Sequence, residues 1–364
     1  RTSAVEMFES GAWVSEFDKR THRPHWNSTF LYKKKGIGSI LIGAIHGFGN
    51  PSVLEIARPE CFCQNCRKEF PLPRMTETAR QAMQMVPCDR CGKPNFVPAS
   101  LPKFQPMPCQ ECRHPVITPV NLRQFELRSV IGSGGMAMVY RAMDTVLERE
   151  VAVKLMAANI QHDKRAMDDF YREARFQAAL NHTNIINIFN YDEAEGRKYL
   201  VMEVADRGDL DERIEQHGRV DELYVLDVGI KMAEALDVLR KNQLMHLDIK
   251  PGNILYNADG DPKLTDFGIA KKINDPRNDA QGLMGTPFYI APERVSEQRQ
   301  DWRSDMYSLA ATLYHAVTGR VPYDEPTVEE TVWAHVKNKL VPPRKIISDI
   351  SKDTSNAIVK AMEK

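Results

Sequence analysis

The chain has 364 residues, with 49 basic side chains balanced by 49 acidic ones and seven cysteines. Its length exceeds one typical domain and predicts two or three, while the balanced charge removes any whole-chain electrostatic case for binding nucleic acid or an anionic membrane. All seven cysteines fall between Cys61 and Cys112, a pattern that suits a metal site in a reducing compartment better than a secreted disulfide scaffold, so the expected location is cytoplasmic.

Residues 1–58 carry no readable chemistry and stay unassigned. Within them, the stretch from Gly36 to Gly49 is apolar and follows three lysines, but it is too short and glycine-rich to span a bilayer. A small buried hairpin or a poorly ordered segment is expected there. The chain begins with Arg1 and runs out in a helix-like stretch, Thr354 to Lys364, and is read as a fragment or processed form. Membrane attachment through sequence beyond that end stays open.

Residues 59–119 form the next unit. A C-x-x-C knuckle followed by a short apolar strand and a proline occurs three times, from Cys63, Cys88 and Cys109. A tight turn lets two cysteines point at one ion, and two knuckles complete a tetrahedral thiolate site, so Zn2+ is the expected metal. The 17 residues between Cys91 and Cys109 fit ribbon spacing, and the 21 between Cys66 and Cys88 are slightly outside it. Cys88, Cys91, Cys109 and Cys112 are therefore the best quartet. Cys63 and Cys66 would need Cys61, a histidine such as His114 or His46, or a dimer partner, or they carry no metal. A structural or protein-docking role is favoured over nucleic-acid binding, because basic residues are scattered and aromatic ones few.

From Phe125 the patterning changes. Phe125 to Arg141 alternates as two strands joined by the Gly132-Ser133-Gly134-Gly135 turn, and glycines in such a turn let backbone N–H groups approach phosphates. A strand from Glu150 to Met156 presents Lys154, a helix from Asp168 to Leu180 carries Glu173, and a buried strand runs from Tyr199 to Val204. Helices are expected at 206–217, 223–242 and 304–317, the last ended by Gly319. Met245 to Leu255 reads M-H-L-D-I-K-P-G-N-I-L, and Lys263 to Gly268 reads K-L-T-D-F-G. Asp248 can accept the proton of an attacking hydroxyl, Lys250 can neutralise a transferring phosphoryl group, and Asn253 with Asp266 can hold hard metal ions.

The order of these segments, closed by Gly-Thr-Pro and Ala-Pro-Glu between Gly285 and Glu293, resembles the protein kinases, and the K-P-x-N wording their Ser/Thr-specific branch. The glycine-rich wording resembles bacterial relatives of the eukaryotic enzymes. The resemblance implies an α+β, two-lobed kinase fold over 120–364, with a small β-rich lobe at 120–204 and a helical lobe at 205–364 that lacks the family's last helices. A zinc-ribbon-like module precedes it. The implied cofactors are ATP and Mg2+ or Mn2+, and the implied partners are protein substrates offering Ser or Thr. ATP is expected against Ile131, Gly132, Ser133, Gly134, Gly135, Val139, Ala152, Met202 and Leu255, with the backbone of the hinge Glu203 to Ala205 bonding the base. Lys154, paired with Glu173, would grip the α- and β-phosphates, Asn253 and Asp266 would hold Mg2+, and Thr286 would lie against Asp248 and Lys250. Two other readings stay open at this point: a scaffold that keeps the fold without catalysis, and a nucleic-acid-binding ribbon with an appended kinase.

Three departures from the family pattern carry expectations. The third glycine of the turn is replaced by Ala137. The usual His-Arg-Asp is here His246-Leu247-Asp248, and the loop from Ala270 to Gly285 holds no serine, threonine or tyrosine. A loop phosphate clamped by that arginine is therefore not expected to switch this chain on. Glu293 is expected to lack its usual arginine partner, which the family supplies from the missing helices.

Overall fold

In this computed structural model, residues 83–134, 136–160, 163–273, 286–296 and 298–364 are described, together with the backbone of short strands between residues 16 and 71. The chain divides into two compact units, Arg1–Thr118 and Pro119–Lys364. No helix of the described residues is long and apolar enough to cross a membrane.

In the first unit the backbone of Phe30–Lys33 pairs antiparallel with Ile40–Ile42 on one side and Glu60–Cys63 on the other, and Glu69–Pro71 extends the sheet. The apolar stretch expected as a hairpin thus supplies one strand. Two further hairpins follow, β1 (Met83–Pro87) with β2 (Pro94–Pro98), and β3 (Met107–Pro108) with β4 (Pro115–Val116). Their core is small: Val86, Val97 and Val116 pack with Cys88 and Cys109. Five residues of that size cannot offset the ordering cost of two hairpins alone, which is why such modules are held by metal.

The second unit opens with a six-stranded antiparallel sheet in the order β5 (Val120–Leu122), β6 (Phe125–Ser133), β7 (Ala137–Asp144), β8 (Arg149–Met156), β10 (Arg197–Met202), β9 (Ile188–Ala194). Strand β8 buries both faces, as its run of valine, alanine and leucine predicts. Helix α1 (Lys164–Ala178) lays Phe170 and Ala174 against Met156 and Leu200 of the sheet. It starts four residues before the expected Asp168, because the Asp163 carboxylate accepts the backbone N–H groups of Arg165 and Ala166 and so satisfies two donors of the first turn.

The remainder is helical: α2 (Leu210–His217), α3 (Glu222–Lys241), then β11 (Leu244–Met245), the hairpin β12 (Ile254–Tyr256) and β13 (Pro262–Leu264), β14 (Lys271–Lys272), α4 (Pro292–Val295), α5 (Trp302–Thr318), α6 (Val328–Lys337), α7 (Pro343–Ile346) and α8 (Lys352–Ala361). Helices α3 and α5 form the centre of one large apolar core, with Val228, Met232, Leu236 and Leu239 of one near Leu309, Ala310, Ala316 and Val317 of the other. They approach closely at Gly229, where an added Cβ would stand 2.9 Å from Leu313 Cδ1. This is a small β-rich lobe followed by a helical one, the α+β, two-lobed arrangement expected.

Candidate active site

The register of the sheet assembles the first wall of the site. Gly132 lies opposite Val139, Val139 opposite Lys154, and Ala152 opposite Met202. Ala152, Ile186 and Met202 form a buried apolar cluster, and Ile131, Val139, Ile188, Val204 and Ala205 pack on it. Of the residues assigned to ATP, five meet there. Val204 of the hinge joins them, as do Ile186 and Ile188, which were not singled out in the sequence, where an isoleucine outside a motif carries no signal. Leu255 is half-buried, and opposite Lys263 in the β12–β13 hairpin. An added Cβ at Gly132 or Gly134 would meet nothing nearer than 3.6 Å. Packing does not demand glycine at either. Gly135 lies outside the described residues.

At the hinge, Glu203 donates its N–H to Asn187 O at 2.9 Å, and its carboxylate accepts the Asn187 N–H at 3.2 Å and Nδ2 at 3.1 Å and pairs with Lys263 Nζ. Lys263, buried in β13, was missed in the sequence because it precedes the Asp-Phe-Gly segment as an ordinary strand residue. It ties the hinge to the strand that delivers Asp266.

Lys154 Nζ stands 2.5 Å from Glu173 Oε1, and both are largely buried. Burial pulls the Lys154 ammonium down, but the carboxylates of Glu173 and Asp266 more than reverse this and hold its pKa above the usual lysine value. Lys154 therefore feels both carboxylates.

The catalytic-loop residues converge. Asn253 Nδ2 donates to Asp248 O at 2.8 Å and to Asp248 Oδ2 at 3.0 Å, and Lys250 Nζ lies 2.8 Å from Asp248 Oδ2. Thr265 N donates to Asn253 O at 3.1 Å, so the β12–β13 hairpin sets Asn253 and Asp266 side by side. His246, fully buried, bonds Thr265 O through Nε2 at 3.0 Å and packs edge-on against Phe267, ring centres 4.7 Å apart. Asp266 adopts φ 65°, and an added Cβ at Gly268 would lie 3.2 Å from Asp266 Oδ1. Beneath the loop, Asp305 accepts the N–H groups of His246 and Leu247, each at 2.7 Å. Burial pushes the Asp305 carboxyl above its usual range, against His246, those two amides and Arg294, which pull it down.

Thr286 is half-buried at the start of the 287–289 turn, and among the described residues its hydroxyl makes no hydrogen bond to Asp248 or Lys250. Glu293 is half-buried and accepts the Ser304 hydroxyl, so a hydroxyl from α5 supplies a partner. Residues 274–285 of the loop lie outside those described.

In the first unit the two knuckles repeat one geometry. Cys88 N bonds Lys93 O and Gly92 N bonds Cys88 O, both at 2.8 Å; Cys109 N bonds His114 O at 2.8 Å and Arg113 N bonds Cys109 O at 3.0 Å. Gly92 and Arg113 close the turns with φ 71° and 63°. The four sulfurs lie within 4.8 Å of one another, with Cys88–Cys112 at 3.6 Å and Cys91–Cys109 at 3.7 Å. Those separations are too long for a disulfide and match the ~3.8 Å between sulfurs placed tetrahedrally around one zinc. The Cys112 amide, with that of Glu111 and the Asn95 side chain, draws the Cys109 thiol down to about 6 despite its burial. Cys63 has its backbone in a strand, but its side chain and all of Cys66 lie outside the described residues.

The protein kinase domain family matches residues 125–364, and the chain belongs to that family. It is 35% identical over 242 residues to a probable serine/threonine-protein kinase of Clostridium acetobutylicum, covering 66% of this chain and 37% of that one. A probable serine/threonine-protein kinase of Clostridium perfringens is 34% identical over 242 residues, and serine/threonine-protein kinase PknB of Mycobacterium leprae 34% over 247 residues, with 35% and 40% of those chains covered. The chain thus spans well under half the length of these relatives. Protein kinases use ATP with Mg2+ or Mn2+.

Proposed function

We propose that this chain is an ATP-dependent serine/threonine protein kinase with its kinase domain at 120–364, preceded by a zinc-ribbon module at 59–119. The observation that carries the reading is the assembly of two charged groups, Lys154 with Glu173 and Asp266, and Asp248 with Lys250 and Asn253, joined where the Thr265 N–H meets Asn253 O next to Asp266 in the chain. The donor set fits the group. Asn253 spends its Nδ2 on Asp248, which leaves its amide oxygen, with the Asp266 carboxylate, as hard oxygen ligands of the kind Mg2+ takes. When bound, ATP and its metal supply the γ-phosphoryl group and neutralise its charge. Asp248, steadied by Asn253 and Lys250, orients the substrate hydroxyl and accepts its proton, Lys250 meets the negative charge of the transferring group, and Lys154, fixed by Glu173, grips the α- and β-phosphates. Asn253 and Asp266 would hold the metal, and the cluster around Met202 and Ala205 would enclose the base, with the hinge backbone offering it hydrogen bonds.

Activity is not switched on by a phosphate on the activation loop. Leu247 is buried and cannot pair with one, and 270–285 offers no hydroxyl to modify. Radiolabelled transfer from ATP to the chain itself and to a generic Ser/Thr substrate tests the activity, and the rate should be unchanged by prior phosphatase treatment. No transfer to any hydroxyl would overturn the first claim, and a large loss on dephosphorylation traced to Thr286 the second.

The four sulfurs fit Zn2+ by number, spacing and softness, and the metal would hold the two hairpins together. Its partners in docking are proteins, since the module shows no basic, aromatic-lined face in its sequence.

A further inference from the structure

Leu247 sits between the buried His246 and Asp248 with φ 67°, in the left-handed region where a branched side chain is strained. Such a backbone persists only where its surroundings fix it. Two groups do. Below, Asp305 accepts the Leu247 N–H at 2.7 Å, with that of His246 on its other oxygen. On the opposite side of the same residue, Arg294 Nη1 donates to Leu247 O. The Leu247 amide and carbonyl are thus held by a fixed anion and a fixed cation, and the next residue in the chain is Asp248.

Arg294 comes from α4, directly after Ala-Pro-Glu, and its guanidinium is half-buried. Burial lowers its pKa, and the carboxylates of Asp305, Asp248 and Glu293, which face it from α5, the catalytic loop and its own helix, pull it back up. The guanidinium is therefore the cation set among these acids beneath the catalytic loop. A phosphate-clamped loop would brace this segment only when modified; Arg294 is part of the fold and braces it always.

We propose that Arg294 is a positioning residue for catalysis: by holding the Leu247 carbonyl against the Asp305 grip on the Leu247 amide, it fixes the strained peptide that aims Asp248, and so makes the catalytic loop competent without loop phosphorylation. The proposal rests on the reading of Asp248 as the base that accepts the substrate proton.

The test compares the full chain with its Arg294→Met and Arg294→Lys variants in ATP-dependent phosphorylation of a generic Ser/Thr substrate, in thermal melting, and in amide hydrogen exchange over residues 244–250. Arg294→Met keeps the apolar stem and removes cation and donor. It should lower kcat by about tenfold or more while KM for ATP stays within about twofold, because misaiming the base touches the chemical step and not nucleotide binding. Exchange of the 246–248 amides should quicken. Arg294→Lys, with a cation and one donor, should recover most of the lost kcat. Three results would overturn the assignment: kcat of Arg294→Met within about twofold of wild type, unchanged exchange over 246–248, or an equal loss in both variants that tracks a fall in melting temperature. Should Arg294→Met fail to fold, Arg294→Gln takes its place with the same expected signs. A wild-type chain without any transferase activity would instead sink the kinase reading, and the exchange comparison would still judge Arg294.

Discussion

Asp266 stands apart from its neighbours in what engages it. Asp248 is bound by an amide and an ammonium, whereas no hydrogen bond among the described residues takes up the Asp266 carboxylate, which senses Lys154 across the cleft. The proposed roles, a group that aims a hydroxyl and a group that would hold a metal, fit that difference. Asp266→Asn should therefore cut turnover by roughly 10²-fold or more with the melting temperature nearly unchanged, and Asp248→Asn should do likewise; near-normal turnover in Asp266→Asn would contradict the mechanism. A second residue-scale expectation concerns His335, which is fully buried and whose Nδ1 shares a 2.9 Å hydrogen bond with the Tyr307 hydroxyl. Burial, aided by Lys364, lowers its pKa to about 4. Because the unfolded chain binds the proton near 6.5, the folded form is favoured above that pH and loses stability as pH falls toward 4, by at most about 1.4 kcal/mol per pH unit from this one group. Denaturant unfolding at pH 7 and pH 5 should show that loss, and His335→Gln should diminish it. An identical pH dependence in the variant would exclude His335 as its source.

Two glycines show how elements depend on their ends and contacts in different ways. Gly319 closes α5 in the left-handed region, φ 71°, donating its N–H to His315 O at 2.8 Å, and a Cβ there would lie 1.9 Å from Gly218 O, which is backbone and cannot swing aside. Gly229, inside α3, would bring its Cβ to 2.9 Å from the end of the Leu313 side chain, which can rotate. Gly319→Ala should destabilise the helical lobe by about 2 kcal/mol or more, from backbone strain and a clash. Gly229→Ala should stay within about 1 kcal/mol of wild type, since the helix propensity gained offsets the shift of one leucine. Urea unfolding of both variants checks the contrast, and equal losses would show that α3 and α5 meet more rigidly than the contact implies. The same scale shows where sequence reading falls short. The early start of α1 was carried by a single capping aspartate, and α6 was missed although Thr327 and Glu330 form a capping box at its start. Both signals are one or two residues long and easily outweighed by apolar periodicity.

Across the whole chain, legibility follows sequence distance. The proposed catalytic residues could be picked out because Asp248, Lys250 and Asn253 lie within one loop and Asp266 follows a short hairpin later. Asp305, which accepts the His246 and Leu247 amides, was readable by the same order, but the Arg294 contact was not, because it reaches Leu247 across 47 residues, nor was the Tyr307–His335 pair, 28 residues apart, since nothing in a linear string marks such pairs. The glycine-rich turn and Lys154 were readable by order, while the isoleucines that complete the apolar wall became visible only when β8, β10 and the segment before β9 were set side by side. The cysteines are the intermediate case: spacing singled out one quartet, and folding brings its four sulfurs within 4.8 Å of one another. From this follows an expectation about the two units. The first unit's described core rests on three valines and two cysteines, whereas the second has an extensive apolar core of its own. Zinc bound by the four thiolates would contribute most of the stability of 83–118, since ligand binding and folding are one equilibrium in so small a core. Elemental analysis of the full chain should find at least one zinc per molecule. Chelation at neutral pH should expose four thiols to a thiol reagent and abolish protection of the 83–118 amides from exchange, with protection of α3 and α5 retained. Cys109→Ser should reproduce this without a chelator, by removing one of four ligands. Full protection of 83–118 in a metal-free chain, with all four thiols reactive, would show that the module is held by its valines and that the sulfurs cluster for some other reason.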